Sequence, residues 1–257
     1  GTGAGWNWRL GESYRTHGDH FIFNQTNPAL SNNRHRSHAV LATFAGSRPA
    51  WGGTATVGVE GGGDWIRSTN LGNHSTSRVS GFGEWRRPIA KTAQLDATLR
   101  LDRYDEFGAS WSPSLGAGWW PVPRVRLRAS AGRAFRVPTF TERFYSDPAN
   151  IARAEVGPEH AWAGEGGADL FLSSEWALHA TVFGRADHDV IDWLRPSTAV
   201  RWQTYNVRDV DTRGVELSVS RSLARGGFVQ VGYTGLDLVA SAVDQLSKYV
   251  LDYAPHS

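Results

Sequence analysis

The sequence predicts an all-β chain, built as part of an antiparallel up-and-down transmembrane β-barrel. Three observations carry that reading: a dominant period of two, connections that alternate short and long, and tryptophans gathered near the turns and loops. Each strand offers one apolar and one polar face. A soluble sandwich would bury the apolar face, whereas a membrane barrel gives it to lipid and keeps the other for a wet lumen.

Along the 257 residues the breakers mark about twelve strands. The first two run near 5–21 and 34–46, and the third spans 51–62 with Val57 and Val59 alternating in TATVGVE. A strand near 75–87 leads to 90–102, where Leu95, Ala97, Leu99 and Leu101 alternate with Asp96, Thr98, Arg100 and Asp102. After 110–120 comes 123–135, where Val125, Leu127 and Ala129 alternate with Arg124, Arg126 and Arg128. Strands at 158–172, 175–194 (WALHATVF), 202–222 (VELSVS), 227–240 (FVQVGY) and 247–257 complete the set.

Tight links fall at 46–51, 87–91, 120–124, 172–175 and 223–227, and longer polar links at 22–33, 63–74, 103–109, 136–157, 195–201 and 241–246. Every second connection of an up-and-down sheet lies on the same side. One rim therefore carries tight turns and the other longer loops, as in outer-membrane barrels. A Greek-key sandwich has no reason to sort its loops by parity. Only antiparallel neighbours are expected, with 136–157 the longest loop. An open sheet would have its edges near 5–21 and 247–257.

Trp51, Trp85, Trp119, Trp120 and Trp176 sit beside short links, and Trp65, Trp111, Trp193 and Trp202 near the long ones. Two indole belts at strand ends suit the two bilayer interfaces; the ordinary alternative is aromatics of a core or rim.

Composition narrows the function. Lys+Arg 27 against Asp+Glu 25 gives a charge of +2, which does not suggest nucleic acid as a partner. The absence of cysteine excludes disulfides and thiolate metal sites. The absence of methionine, even at position 1, leads us to expect a processed or excised piece. No apolar run approaches the roughly 18–20 residues of a membrane helix. No phosphate-binding loop, zinc-protease or nucleophile-elbow motif is present, so no catalytic residue, enzyme activity or cofactor is assigned.

Asp187, Asp189 and Asp192 are the weak candidates for a calcium site, and His17, Asp19, His20, His35 and His38 for other divalent metals. Solvated loop groups are the plainer reading of both. A lipid-facing arginine at the bilayer midplane costs about 2–4 kcal/mol. Arg100, Arg124, Arg126, Arg128 and Glu216 are therefore expected to face the lumen, with Leu95, Leu99, Val125, Leu127, Val215, Leu217 and Val229 facing out.

Three segments resemble TonB-dependent outer-membrane receptors. SAGRAFRVPTFTERFY at 130–145 resembles the family's G-x-x-F-R-x-P-x-x-x-E-L-Y segment, with Phe144 standing one place before Tyr145. NVRDVDTRGVE at 206–216 resembles its N…G-x-E segment through Asn206, Gly214 and Glu216. The third, 146–162, resembles a loop that ends in a Pro-Glu pair, here Pro158 and Glu159.

The resemblance implies a barrel of about 22 strands whose lumen is filled by an N-terminal plug. Residues 1–257 would be part of that barrel domain, without the plug and the final strands. It further implies the bacterial outer membrane, with energy-coupled uptake of siderophore-iron, haem, cobalamin or a similar nutrient. Its partners would be outer-membrane lipid, a small-molecule or metal-chelate ligand, and the TonB complex acting through the plug. Ligand contacts would come from Trp65, Asn70, Tyr104, Arg136, Phe140, Tyr145, Trp193, Arg195 and Tyr205. A passive porin or an adhesin barrel is the alternative.

Overall fold

A computed structural model describes residues 2–248 apart from 4, 23 and 31. In chain order the strands are β1 (Thr2–Gly3), β2 (Trp6–Ile22), β3 (Asn32–Ala50), β4 (Gly53–Ser68), β5 (Gly72–Ala90), β6 (Ala93–Tyr104), β7 (Gly108–Val122) and β8 (Val125–Arg136). A short helix, α1 (Phe140–Phe144), precedes β9 (Asn150–Ile151). Then come β10 (Glu159–Phe171), β11 (Trp176–Arg195), β12 (Trp202–Ser222), β13 (Phe228–Ala240) and β14 (Leu246–Ser247).

All join one 14-stranded sheet, ordered β1 to β8 and then β10 to β13. The long strands pair antiparallel with their sequence neighbours, as an up-and-down meander requires. Register sorts the side chains into two faces. Leu10, Phe44, Val59, Leu101, Trp111, Leu115, Leu127, Leu170, Leu178, Val219 and Val231 follow one another across the pairings on one face. Most of these are exposed, including Leu10, Val59, Leu101 and Val231. The opposite face carries Glu60, Arg78, Arg100, Asp102, Arg126, Arg128, Glu165, Asp169 and Glu216. An apolar surface of this extent is unlike that of a water-soluble sheet and suits contact with lipid.

Tight turns define one rim. At Trp51-Gly52 both residues take positive φ, 51° and 72°. Two such residues between Ala50 and Gly53 match the strand twist of a two-residue hairpin, where glycine bears the strain that Trp51 does not escape. At the other rim, the 22 residues between β8 and β10 form the longest connection and fold α1 back over the polar face, where Phe144 stacks on His74 at 3.5 Å.

Three expectations are corrected. The sheet is not wholly antiparallel: β9 pairs parallel with the start of β12, Asn150 against Trp202. Because β12 outreaches β13, its outer end leaves an unpaired edge that this loop fills. The strand expected at 247–257 falls largely outside the described residues. Its described start, β14, pairs with Leu194 and Arg195 of β11 rather than with β13. Among the described residues, β13 therefore forms the second edge, and it does not pair with β1 or β2. Finally, Trp193 is not a rim indole: it is 4% exposed and packs inside the loop end, edge-on to Tyr145. Trp51, Trp119 and Trp176 are exposed at the tight-turn end, and Trp111 at the loop end.

Candidate functional site

The polar face is crossed by two ion-pair clusters at mid-height. In the first, Glu60 accepts from Arg100 at 2.7 Å and pairs with Arg78 at 3.0 Å. Arg100 also reaches Asp102, which accepts from the Ser80 hydroxyl at 2.5 Å. The second centres on Asp169, which is fully buried and accepts from Arg126 at 2.6 Å and from His179 at 2.8 Å. Arg128 bridges the same carboxylate at 3.7 Å and donates to Thr181. A carboxylate removed from water needs such charge-assisted partners.

Arg100, Arg126 and Arg128 thus share the face with α1, and so does Glu216, which stands beside Thr181. Arg124 does not join the ladder. It sits exposed in the tight turn before β8, because the β7–β8 register breaks between Trp119 and Val122.

The outer end is closed by a latch built from all three motif segments. The Arg136 guanidinium holds Glu142 bidentately at 2.7 and 2.9 Å and donates to Glu159 at 2.8 Å. Glu142 also completes a capping box with Thr139 at the start of α1. Burial alone pushes the Glu142 carboxyl up, but hydrogen bonds from Arg136 and Thr139 outweigh it and hold it below the usual carboxylate range. Glu159 in turn accepts from the Ile191 amide at 2.7 Å, joining β8, α1, β10 and β11. Asn206 fixes the end of the same loop: its amide exchanges hydrogen bonds with Gly157 and donates to the Asp189 carbonyl at 2.7 Å.

Beneath the latch lies a small buried core of Ile191, Trp193, Leu194, Val156 and Val210. Asp192 is buried there against Arg208 at 2.7 Å and accepts from Ser247 at 2.7 Å. Asp147 gathers the amides of Ala149 and Asn150 and the Tyr145 hydroxyl. Burial raises this carboxyl, but those donors bring it below its ordinary value.

The nominated ligand contacts divide. Arg136 is consumed by the latch. Asn70 ties the β4–β5 turn to Ser146, and Tyr145 donates to Asp147. Tyr205 lies under Arg153 at 4.5 Å, and Arg195 lies over Trp202 at 4.2 Å. Tyr104 packs edge-on against Phe107 and Phe135. Trp65 lies opposite His38 and stacks on it at 5.0 Å on the apolar face, and it also borders the space that Phe140 lines. Phe140 and Trp65 are the two of the nine that border an open space. This is a cavity of about 270 Å³ between α1 and the sheet, reached also by Arg15, Asp64, Thr76, Phe107 and Arg143.

The calcium candidates do not converge. Asp187 is held by Arg185 at 2.5–2.8 Å, Asp192 by Arg208, and Asp189 occupies a bulge at φ 58°. Among the described residues no group of three or more acidic or histidine ligands is assembled. Register separates the histidines too: His35 lies opposite Asp19, while His20 and His38 belong to the other face.

Sequence reasoning missed Asp169, His179, Glu60 and Arg208. Asp169 lies in an alternating segment, yet only the pairing of Asp169 with Arg126 reveals its role.

Comparison with known proteins agrees with this geometry. Residues 1–256 match the family model "TonB dependent receptor-like, beta-barrel". Over 122 residues, 48% of the chain and 19% of the relative, it is 25% identical to a vitamin B12 transporter, BtuB, of Vibrio vulnificus. The siderophore receptor PirA of Pseudomonas aeruginosa superimposes with a TM-score of 0.69 at 15% identity, covering 91% of this chain and 51% of that one. The FrpB iron transporter of Neisseria meningitidis gives 0.68 at 15% identity, covering 90% and 41%. The copper transporter OprC gives 0.69 at 16% identity, covering 90% and 43%. The chain thus spans about a fifth of its curated relative and about half of these structures. Its family is one of bacterial outer-membrane receptors, not of enzymes. The chain belongs to the TonB-dependent receptor-like β-barrel family.

Proposed function

We propose that these residues form part of the barrel wall of an outer-membrane receptor that imports a scarce nutrient by an energy-coupled route. The observation that carries the reading is the two-faced sheet, with a charged wall on one side and the latch folded over that wall's outer end. A charged, ion-paired wall suits a lumen that holds a polar plug, and a loop pinned over it suits ligand capture above. The chain spans about half of its structural neighbours, which supports a larger barrel completed by further strands and a plug. An open sheet in lipid would leave edge N–H and C=O groups unpaired at several kcal/mol each.

The ligand is taken to be a small molecule or metal chelate, such as a siderophore–iron complex, haem or cobalamin. Its contacts are assigned to the cavity under α1, with Phe140, Arg143 and Arg15 on its walls. The partner for energy coupling is the TonB complex, through the plug.

The test is uptake by cells carrying the full-length gene product, with radiolabelled ferric chelates, haem and cobalamin as probes. Accumulation of one probe that stops when the proton gradient is collapsed supports the reading. Equal, gradient-independent entry of all the probes would instead make the barrel a passive channel.

A further inference from the structure

On the apolar face, just beyond the aromatic belt of the loop rim, three arginines stand together. Arg36 lies directly opposite Arg67 in the β3–β4 register, and Arg34 lies two residues further along β3, opposite His20. All four are exposed. Side chains directly opposite on antiparallel strands have Cβ atoms about 5 Å apart, and like charges so placed repel. Among the described residues, no carboxylate pairs with Arg34, Arg36 or Arg67. The nearest acids in sequence, Asp19 and Asp64, alternate onto the other face. Arginines of the polar wall such as Arg78, Arg100 and Arg126 are, by contrast, each answered by a carboxylate.

Immediately toward the bilayer, Tyr14, His38 and Trp65 form a stack on the same face, with the Tyr14 hydroxyl 2.6 Å from His38 Nδ1. Arg67 follows Trp65 by two residues, about 6.6 Å along the strand. Below the stack come exposed Val40, Val59 and Phe44. The order from rim to midplane is therefore cationic, aromatic and aliphatic. An amphiphile with an anionic head has the same order.

We propose that Arg34, Arg36 and Arg67, with His20, form an outward-facing site for the phosphate groups of an outer-leaflet lipid, whose acyl chains lie on the apolar face below. The proposal rests on the reading of that face as lipid-facing. Arginine forks bind phosphate bidentately, and the bound anion removes the repulsion between Arg36 and Arg67. A soluble ligand bound for the lumen has no access to this side of the sheet.

The test uses the full-length gene product, extracted from outer membranes, stripped of lipid and held in detergent. Native mass spectrometry then follows binding of lipid A bearing both phosphates, the same lipid dephosphorylated, and inorganic phosphate. The site predicts retention of the phosphorylated lipid and binding at least about tenfold weaker in R36Q/R67Q, with most affinity kept in R36K/R67K. Heat-modifiable migration on gels checks that each variant is folded, and the single variant R67Q repeats the comparison if the pair assembles poorly. Unchanged binding in folded R36Q/R67Q or R67Q would overturn the proposal, as would equal retention of the dephosphorylated lipid. Displacement of the lipid by millimolar inorganic phosphate would overturn the lipid as occupant. Nutrient uptake is read separately, so loss of lipid binding with uptake intact touches only this site.

Discussion

Arg136 and Glu142, six residues apart, meet through two hydrogen bonds of 2.7 and 2.9 Å and fold the start of the longest loop back over the polar wall. Glu159 binds the same guanidinium from the neighbouring strand. Arg136 thus ties the loop to β8 and β10, and Glu159 carries the tie on to β11. Because Lys presents a point charge rather than a fork, it cannot replace Arg there. We predict that Arg136→Lys and Arg136→Ala both loosen residues 137–157, Ala by about 2 kcal/mol of local stability. Hydrogen exchange in that loop should quicken by about 30-fold in Arg136→Ala, with the mid-barrel strands unaffected. Unaltered exchange would remove the latch from the account.

Acid should open the same loop. The carboxyls of Glu142 and Asp147 lie below their ordinary values because, despite burial, donors favour the charged forms. Their contribution to stability is therefore fully present above the unfolded-state values, about 4, and is lost as pH falls through the depressed folded-state values. Protease cleavage within 137–157 should rise as pH drops below about 4. In Glu142→Gln it should already be raised at neutral pH, with a shallower pH dependence. An identical pH profile in that variant would contradict the assignment.

Gly214 fixes the spacing between β11, β12 and β13. A Cβ there would collide with the Phe183 ring and stand 2.8 Å from the Gly235 carbonyl oxygen. The ring has room to rotate, but the backbone oxygen is held by the strand pairing. Gly214→Ala should cost about 1–3 kcal/mol, read as a lower temperature for loss of heat-modifiable migration. Phe183→Leu in the same chain should restore only part of it. Wild-type stability in Gly214→Ala would show that the strands part more easily than the packing indicates.

Strand number and the division of side chains between two faces were legible because period two survives without knowledge of the neighbours. In 94–102 the alternation of Leu99 and Arg100 is enough to put them on opposite faces. What stayed hidden depends on register. Asp169 becomes the hub of Arg126, Arg128 and His179 only when β8, β10 and β11 are aligned. Trp193 reads like any indole beside a long loop, since nothing local distinguishes a rim side chain from one that packs inward after a bulge. The motif residues Arg136, Glu142, Glu159 and Asn206 were visible as a pattern. Their convergence on one loop depends on how β8, β10, β11 and β12 are aligned.

The central claim is that the apolar face meets lipid and the arginine-bearing face meets the lumen. The chain contains no cysteine, so a single introduced thiol is a unique label within it. Spin labels placed one at a time at Leu99, Leu217 and Val231, and at Arg100, Glu216 and Gln230, would be read in the full-length gene product in proteoliposomes. The account predicts that oxygen relaxes the first three strongly and that a water-soluble nickel chelate relaxes the second three. Oxygen-dominated relaxation at Arg100 and Glu216, with the nickel chelate reaching Leu99 and Leu217, would contradict it.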